Sequence, residues 1–422
     1  MFANSTIPTQ YKKYRKTKIL IGAQSWAYGP AGKASAIGHE LKKRGALVDF
    51  VGADTSFDFC KKTGYFINVF CVKSNKDYLK IDFKNYDAVI SVMDPFLAFM
   101  GKKSNIPVFY ADSMSRFWIW KNKKQVLKKF ASLKRLDSNQ GIKIICRMMP
   151  DDRQLLGHLF SNRIFTQGTP QFIRETKNRV ENVGSMIDLT FTKKCKKDTV
   201  LVSLSGGISP VTNLSAAVRY TKMIIDLISG EIKNFPAAKR FVLTGHPNVI
   251  EIIKKSEFDK KDLFNLVALN HEQFLKEINR AIVVLVPCGF TTIFESLASD
   301  TPLIFLPDNH NGHVYEYLII TEKIKRKRDS VFPNLLFTLS CSNLKNIRKV
   351  DESMAMIRYF TGKYFDDAKF RKEYKEKFRK IVNDFNKKKN LMTIQKSAIS
   401  EFIPSFKGAK SVSKTILQTI KN

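Results

Sequence analysis

The sequence predicts an α/β protein: two doubly wound parallel-sheet domains with a cleft between them and a helical C-terminal tail. Short apolar runs alternate with amphipathic helical stretches through most of the chain, the pattern of a parallel sheet covered on both faces. The alternation breaks at a polar, basic stretch, Arg174 to Asp198, and then restarts. From Glu352 onward only helical periodicity remains. A length of 422 residues suits two domains of ordinary size. We place them at residues 1–185 and 186–350, with the tail at 351–422 packing back across both.

In the first half "KILIGA" (Lys18 to Ala23) reads as a strand and "AGKASAIGHELKKRG" as an amphipathic helix closed by Gly45. "LVDFVG", "FINVFCV", "DAVISVM" (Asp87 to Met93), "IPVFYAD" (Ile106 to Asp112) and "RIFTQG" are the following strands, each bounded by turn or helix signals. Arg174 to Asp198 has little strand pattern and reads as a linker. The second half runs "TVLVSLSGG" (strand and glycine turn), "SAAVRYTKMIIDLI" (helix), "RFVLTGHPN" and "NLVALN" (strands), "HEQFLKEINR" (helix), "AIVVLVPCG" (strand), a helix through Glu295, and "PLIFLP" (strand). The tail reads as helices rich in lysine.

Hydrophobic residues make up 44% of the chain, enough for real cores. Apolar runs long enough to span a bilayer are absent, and the first residues lack the apolar segment of a signal peptide, so the expected location is the cytoplasm. The six cysteines are scattered without a C-x-x-C, which predicts buried free thiols rather than a disulfide framework. Histidines and cysteines show no metal-ligand spacing, so neither a metal nor another cofactor is expected. The net charge of +34 favours an anionic partner: a nucleotide, a nucleic acid or an acidic membrane surface. Lysine dominates the basic runs, whereas bidentate base reading prefers arginine, which argues against nucleic acid. Peripheral contact with an anionic membrane stays open, and the ordinary alternative is a lysine-rich solvated surface.

Three strand ends in the second half carry residues that would converge on the cleft. "SLSGGISP" places Ser205, Gly206 and Gly207 after one strand, and "LTGHPN" places Gly245 and His246 after the next. "PCGFTTIFES" places Gly289, Thr291 and Thr292 at a strand-to-helix junction. Glycine admits close backbone approach, and free N–H groups at a helix N-terminus bind phosphate without a metal. Glu295 falls about one turn into that helix, where a carboxylate can accept two hydrogen bonds from a ribose diol. Its ordinary alternative is a helix-dipole or capping role.

The block "PCGFTTIFESLASDTPLIFLPDNHNGHVYEY" resembles the donor signature of two-domain GT-B glycosyltransferases, whose domains are Rossmann-like. It is most similar to the UDP-glycosyltransferase pattern His-Cys-Gly-Trp-Asn-Ser-x-x-Glu-Ser-Leu, and it also resembles the transferase that adds N-acetylglucosamine to the lipid-linked peptidoglycan precursor. The resemblance implies ribose binding by Glu295 and phosphate contact by Gly289, Thr291 and Thr292. It implies sugar contact in the segment Asn309, His310, Asn311 and onward to His313, and backbone contact with the nucleobase from Val267 to Leu269. "LVSLSGG" and "LTGHPN" match the two earlier glycine turns.

The match is looser in the first half, where "GPAGKASAIGHELKKRG" is similar to the family's first loop and helix. The family's catalytic histidine falls on Pro30, and His39 lies too deep in the helix to replace it. The remaining candidates for a base are Asp94 in "SVMDPF" and Asp112 in "YADSMSRFWIW". An inverting transfer needs one carboxylate near the acceptor and electrostatic help for the departing diphosphate. Asp94 before Pro95 equally suits a helix cap. We favour Asp112, with Trp118 beside it as an acceptor platform.

Gly29 and Lys33 lie on the acceptor-side loop, where Lys33 and His246 can add positive charge or a donor near the diphosphate; otherwise Lys33 is an ordinary solvated helix residue. "YADSMSRFWIW" with "GPAGK" resembles cytosylglucuronate-synthase-like GT-B proteins, which implies a nucleobase acceptor. The absence of an Asp-x-Asp pair speaks against metal-dependent transfer on the other common glycosyltransferase fold. The expected activity is therefore metal-independent, inverting glycosyl transfer from a nucleotide sugar, UDP being the expected nucleotide, to an acceptor. The alternatives are a sugar-nucleotide epimerase on the same fold and a basic nucleic-acid- or membrane-binding protein.

Overall fold

The computed structural model describes residues 16–421 except 27, 169–170, 193–194, 205–207, 209–210, 323, 325–327, 338 and 340–349. The candidate residues Ser205, Gly206 and Gly207 therefore lie outside the described residues.

Two parallel sheets organise the chain, as expected. The first contains β1 (Lys18–Ala23), β2 (Leu47–Gly52), β3 (Val69–Cys71), β4 (Ala88–Val92), β5 (Val108–Asp112), β6 (Arg163–Thr166) and β7 (Val180–Asn182). Their order is β3-β2-β1-β4-β5-β6-β7. The second contains β8 (Thr199–Ser203), β9 (Arg240–Thr244), β10 (Asn265–Val267), β11 (Ala281–Val286) and β12 (Leu303–Phe305), in the order β10-β9-β8-β11-β12. The strands that read as unbroken apolar runs, such as β4, β5 and β8, are buried along their whole length. Burial on both faces is what removes the polar alternation of a one-sided sheet.

One expectation changes. The stretch read as a linker contributes β7, which pairs in parallel with β6 at the sheet edge through Ile164–Val180, Phe165–Glu181 and Thr166–Asn182. A half-exposed, three-residue edge strand is too short to show a periodicity.

Strand order reverses direction at one point in each sheet: between β1 and β4 in the first, between β8 and β11 in the second. Such switch points open a crevice at the carboxyl ends of the strands. The Gly29–Lys43 helix begins after β1, and the Phe290–Ala298 helix begins after β11. The two helix starts face each other across the domains.

The tail fastens both halves. Tyr364, Tyr374, Phe378 and Val382 join the core of the second sheet. Ala398, Ile399 and Ile403 pack in the cluster that holds Phe290 and Phe294. The last helix, Gly408–Lys421, returns to the first domain, where Ala409, Val412 and Ile416 join Ile19, Ile21 and Ile37. Each fully buried aliphatic side chain there contributes roughly 1.5–3 kcal/mol. Gly184 permits the return: its φ is +81°, and a side chain on it would meet the Ser405 carbonyl oxygen at 2.1 Å.

The cysteine expectation holds in part. Cys60 and Cys288 are buried, but Cys71, Cys146 and Cys195 are exposed, and all five are free thiols; Cys341 lies outside the described residues. Among the described residues no helix is long and apolar enough to cross a membrane.

Candidate functional site

The carboxyl edge of the second sheet carries most of the donor-side candidates. Gly245 follows β9, and His246 caps the Pro247–Lys254 helix, its Nδ1 accepting from the Asn248 N–H at 3.2 Å. Burial, with Lys62 of the first domain nearby, lowers its pKa. Val267 ends β10, and the Leu269 N–H donates to Thr244 Oγ1 at 3.3 Å. After β12, Asn309 is buried and ties the edge together: its side chain donates to the Leu204 carbonyl, and its own carbonyl accepts from Thr212 Oγ1, both at 3.3 Å. His310 Nδ1 accepts from the Gly312 N–H at 3.0 Å, and burial pushes its pKa down to about 4. Asn311 begins the Gly312–Ile320 helix.

Gly289 is the N-cap of the Phe290–Ala298 helix and supplies no capping side chain. Thr291 and Thr292 stand in its first turn, half-buried, and Glu295 lies about one turn further in, 3% exposed. Glu295 Oε1 is 2.9 Å from His271 Nε2. Burial alone would lower the His271 pKa, but the hydrogen bond and charge of Glu295 outweigh it and the net shift is upward. The His271 ring in turn contacts Phe59 of the first domain, centroids 5.1 Å apart.

Lys33 departs from the ordinary solvated reading. It is 3% exposed, and its Nζ donates to Thr291 Oγ1 at 2.8 Å and to the Gly29 carbonyl at 3.3 Å. A side chain on Gly29 would meet the same Thr291 oxygen at 3.7 Å. The first domain thus delivers an ammonium to the start of the second domain's helix. Burial pushes the Lys33 pKa down to about 8, offset in part by the charges of Glu316 and Glu295.

Sequence reasoning missed Glu316. Its Oε2 accepts from the Phe290 N–H at 2.7 Å, and burial pushes its carboxyl up to about 8 despite that bond and the Lys33 charge. No spacing signal marks Glu316, because it reaches the site from the neighbouring helix. The linkage has a definite sign. Folded Glu316 keeps its proton up to about 8, whereas the unfolded carboxyl releases it near 4.5, so its contribution is lost as pH rises through that interval. The melting temperature of the wild-type chain is expected to fall relative to Glu316→Gln between about pH 5 and about pH 8. A constant difference across that range would show that the carboxyl titrates normally.

On the first domain, Asp112 ends β5 and Asp94 lies two residues past the end of β4, and both carboxylates are engaged. Asp94 caps the Pro95–Lys103 helix, Oδ1 accepting from the N–H groups of Phe96 (3.0 Å) and Leu97 (3.2 Å), and Oδ2 accepts from the Tyr78 hydroxyl. Asp112 is wholly buried. Its Oδ2 pairs with Trp118 Nε1 and His158 Nε2, both at 2.8 Å, and its Oδ1 accepts from the Met114 N–H at 2.9 Å. Trp118 is itself 5% exposed and lies 6.0 Å from the Trp26 ring. A shallow cavity of about 250 Å³ opens beside it, lined by Arg116, Trp118, Ile119, Trp120, Lys121 and Gln171. Pro30 occupies the first turn of its helix, where a missing N–H costs nothing. His39 is 3.0 Å from Asp188 Oδ2 and stacks on Tyr65, which joins that helix to the connection between domains. Among the described residues no group of three or more His, Cys, Asp or Glu is arranged to hold a metal ion.

No protein-family model matches the chain. A search of curated proteins also finds no match. Solved structures do match. The glycosyltransferase of kitacinnamycin superposes with a TM-score of 0.50 at 12% identity, over 96% of this chain and 99% of that one. The UDP complex of S. aureus MnaA superposes with a TM-score of 0.51 at 10% identity, over 96% and 97%. The UDP-GlcNAc 2-epimerase of Neisseria meningitidis bound to UDP-GlcNAc lies slightly further away, at 0.49 and 13%, over 95% and 100%. At such identities the likeness establishes the fold. It is the GT-B architecture, two Rossmann-like domains spanning essentially the whole chain.

Proposed function

We propose that the chain is a glycosyltransferase that takes its sugar from a nucleotide donor, with UDP as the nucleotide, and passes it to a small acceptor with inversion. One observation carries the reading. The Phe290–Ala298 helix starts at the switch point of the second sheet, presents Gly289, Thr291 and Thr292 there, holds Glu295 one turn in, and receives Lys33 from the opposite domain. In this reading Glu295 holds the ribose. The helix start and Lys33 neutralise the diphosphate and stabilise it as it leaves, the task a metal performs elsewhere. Gly245, His246, Val267 and Leu269 form the wall for the base, and Asn309, His310 and Asn311 the wall for the sugar. The acceptor lies on the first domain near Gly29 and Trp118. Asp112 or Asp94 takes the acceptor proton only if one of its present hydrogen-bond donors releases it during turnover. A nucleobase acceptor lightens that demand.

A second reading is supported by one feature: Lys33 and Glu316, from opposite domains, place two titratable groups shifted to about 8 around one seat. Such pairs suit proton transfer within a sugar, as an epimerase requires. Product analysis separates the two. Incubated with UDP-sugars in EDTA, the transferase releases UDP only when an acceptor is added and is unaffected by the chelator. Conversion of one UDP-sugar into another without acceptor would replace this reading with the epimerase, and a strict Mg²⁺ requirement would remove the metal-independent mechanism. The basic exterior needs no separate partner: on the Ala368–Lys387 helix exposed Lys369, Lys372 and Lys380 are interleaved with exposed Glu373 and Glu376, a solvated face.

A further inference from the structure

The start of the Phe290–Ala298 helix already has an occupant. Helix N-termini leave N–H groups without intrahelical partners, and Gly289 offers no side chain to cap them. The Phe290 N–H is instead taken by Glu316 Oε2 at 2.7 Å, from a separate helix. The same oxygen would lie 4.0 Å from a side chain placed on Gly289, so the carboxylate occupies the side of the turn that glycine leaves open. Lys33 is buried next to this arrangement, and its charge acts on Glu316. Its Nζ is hydrogen-bonded to Thr291 Oγ1 and the Gly29 carbonyl, while burial keeps the Glu316 carboxyl protonated up to about 8.

A diphosphate seated on this helix start needs the same N–H. It cannot share it with Glu316, whose carboxyl oxygen already fills the acceptor position. We propose that Glu316 is a resident occupant of the diphosphate seat, displaced by the donor, which takes over the Phe290 N–H beside the Lys33 ammonium. The inference rests on the donor-site reading above and deepens it: Glu316 competes with the donor and so sets the affinity of the seat for anions. A ligand that accepts from the Phe290 N–H and pairs with Lys33 at once displaces it best, which selects nucleoside diphosphates over nucleosides. The upward push on the Glu316 carboxyl fits an occupant that holds the N–H as a neutral group near neutral pH and is readily displaced.

Calorimetry with inorganic pyrophosphate on the full-length chain tests this, since pyrophosphate carries the anion without ribose or base. Glu316→Ala empties the position and is expected to bind pyrophosphate about tenfold more tightly than wild type. Glu316→Asp withdraws the carboxyl from the Phe290 N–H and is expected to shift affinity the same way, which covers an Ala variant that folds poorly. Adding Lys33→Met to Glu316→Ala is expected to abolish the gain. If both folded Glu316 variants bind pyrophosphate no more tightly than wild type, Glu316 is only a helix cap and the proposal is overturned. The nucleotide reading stands or falls separately, on UDP binding by the Glu295→Ala variant.

Discussion

With Glu295 as the proposed ribose ligand, its replacement by alanine is expected to raise the dissociation constant for UDP by about 100-fold, the loss of two hydrogen bonds to a charged group. The expected size follows from the position. Glu295 is 3% exposed, so competition from water is weak. Its Oε1 is held by His271 at 2.9 Å, which orients the carboxylate before any ligand arrives. The substitution also leaves buried His271 without its counter-charge, so the variant melts lower than wild type but keeps both sheets, whose cores do not include this carboxylate. Glu295→Gln separates the two effects: it keeps the shape beside His271 and still loses the charge-assisted part of ribose binding. Titration calorimetry with UDP and circular dichroism on the same samples measure both. Wild-type UDP affinity in Glu295→Ala would remove the ribose role.

Asp112→Asn is expected to destabilise the first domain by about 3 kcal/mol, the cost of breaking a buried charged network from one side. Asp112 accepts from the Trp118 indole and the Met114 N–H and pairs with His158, with no contact to solvent. In either orientation an amide sets its NH2 against a donor, the Trp118 Nε1–H or the Met114 N–H, at a fully buried position. Trp118→Phe removes the first conflict, so the double variant is expected to recover part of the loss. Denaturant unfolding of the single and double variants reads this directly. An Asp112→Asn chain as stable as wild type would show that the carboxylate does not hold the edge together and is free for other work.

Much of this protein was legible before its structure. The apolar runs marked β1, β2, β4, β5, β8, β9, β11 and β12 because strands buried on both faces carry their burial in local composition. The block from Gly289 to Glu295 was legible because a glycine, two threonines and a carboxylate at helical spacing share one short segment. β7 was not, since three half-exposed residues at an edge leave no pattern. The cap made by Asp94 was one of the two readings its position before Pro95 allowed, but the partners that hold Asp112 were not legible. Sequence shows a carboxylate at a strand end, but only the fold shows whether its lone pairs are already taken.

Sequence alone was enough for the two sheets and for the strand-to-helix junction that opens at Gly289. Tertiary structure alone decided what stands around that segment. Lys33 meets Thr291 from 258 residues away, His271 meets Glu295 from 24, and Glu316 meets the Phe290 N–H from 26. The physical reason is that periodicity and spacing report which side chains are buried and which share a local turn. The charge state of a buried group, and the partner that makes its burial tolerable, depend on what the fold brings within 3 Å, and that is set by packing between elements and not within them.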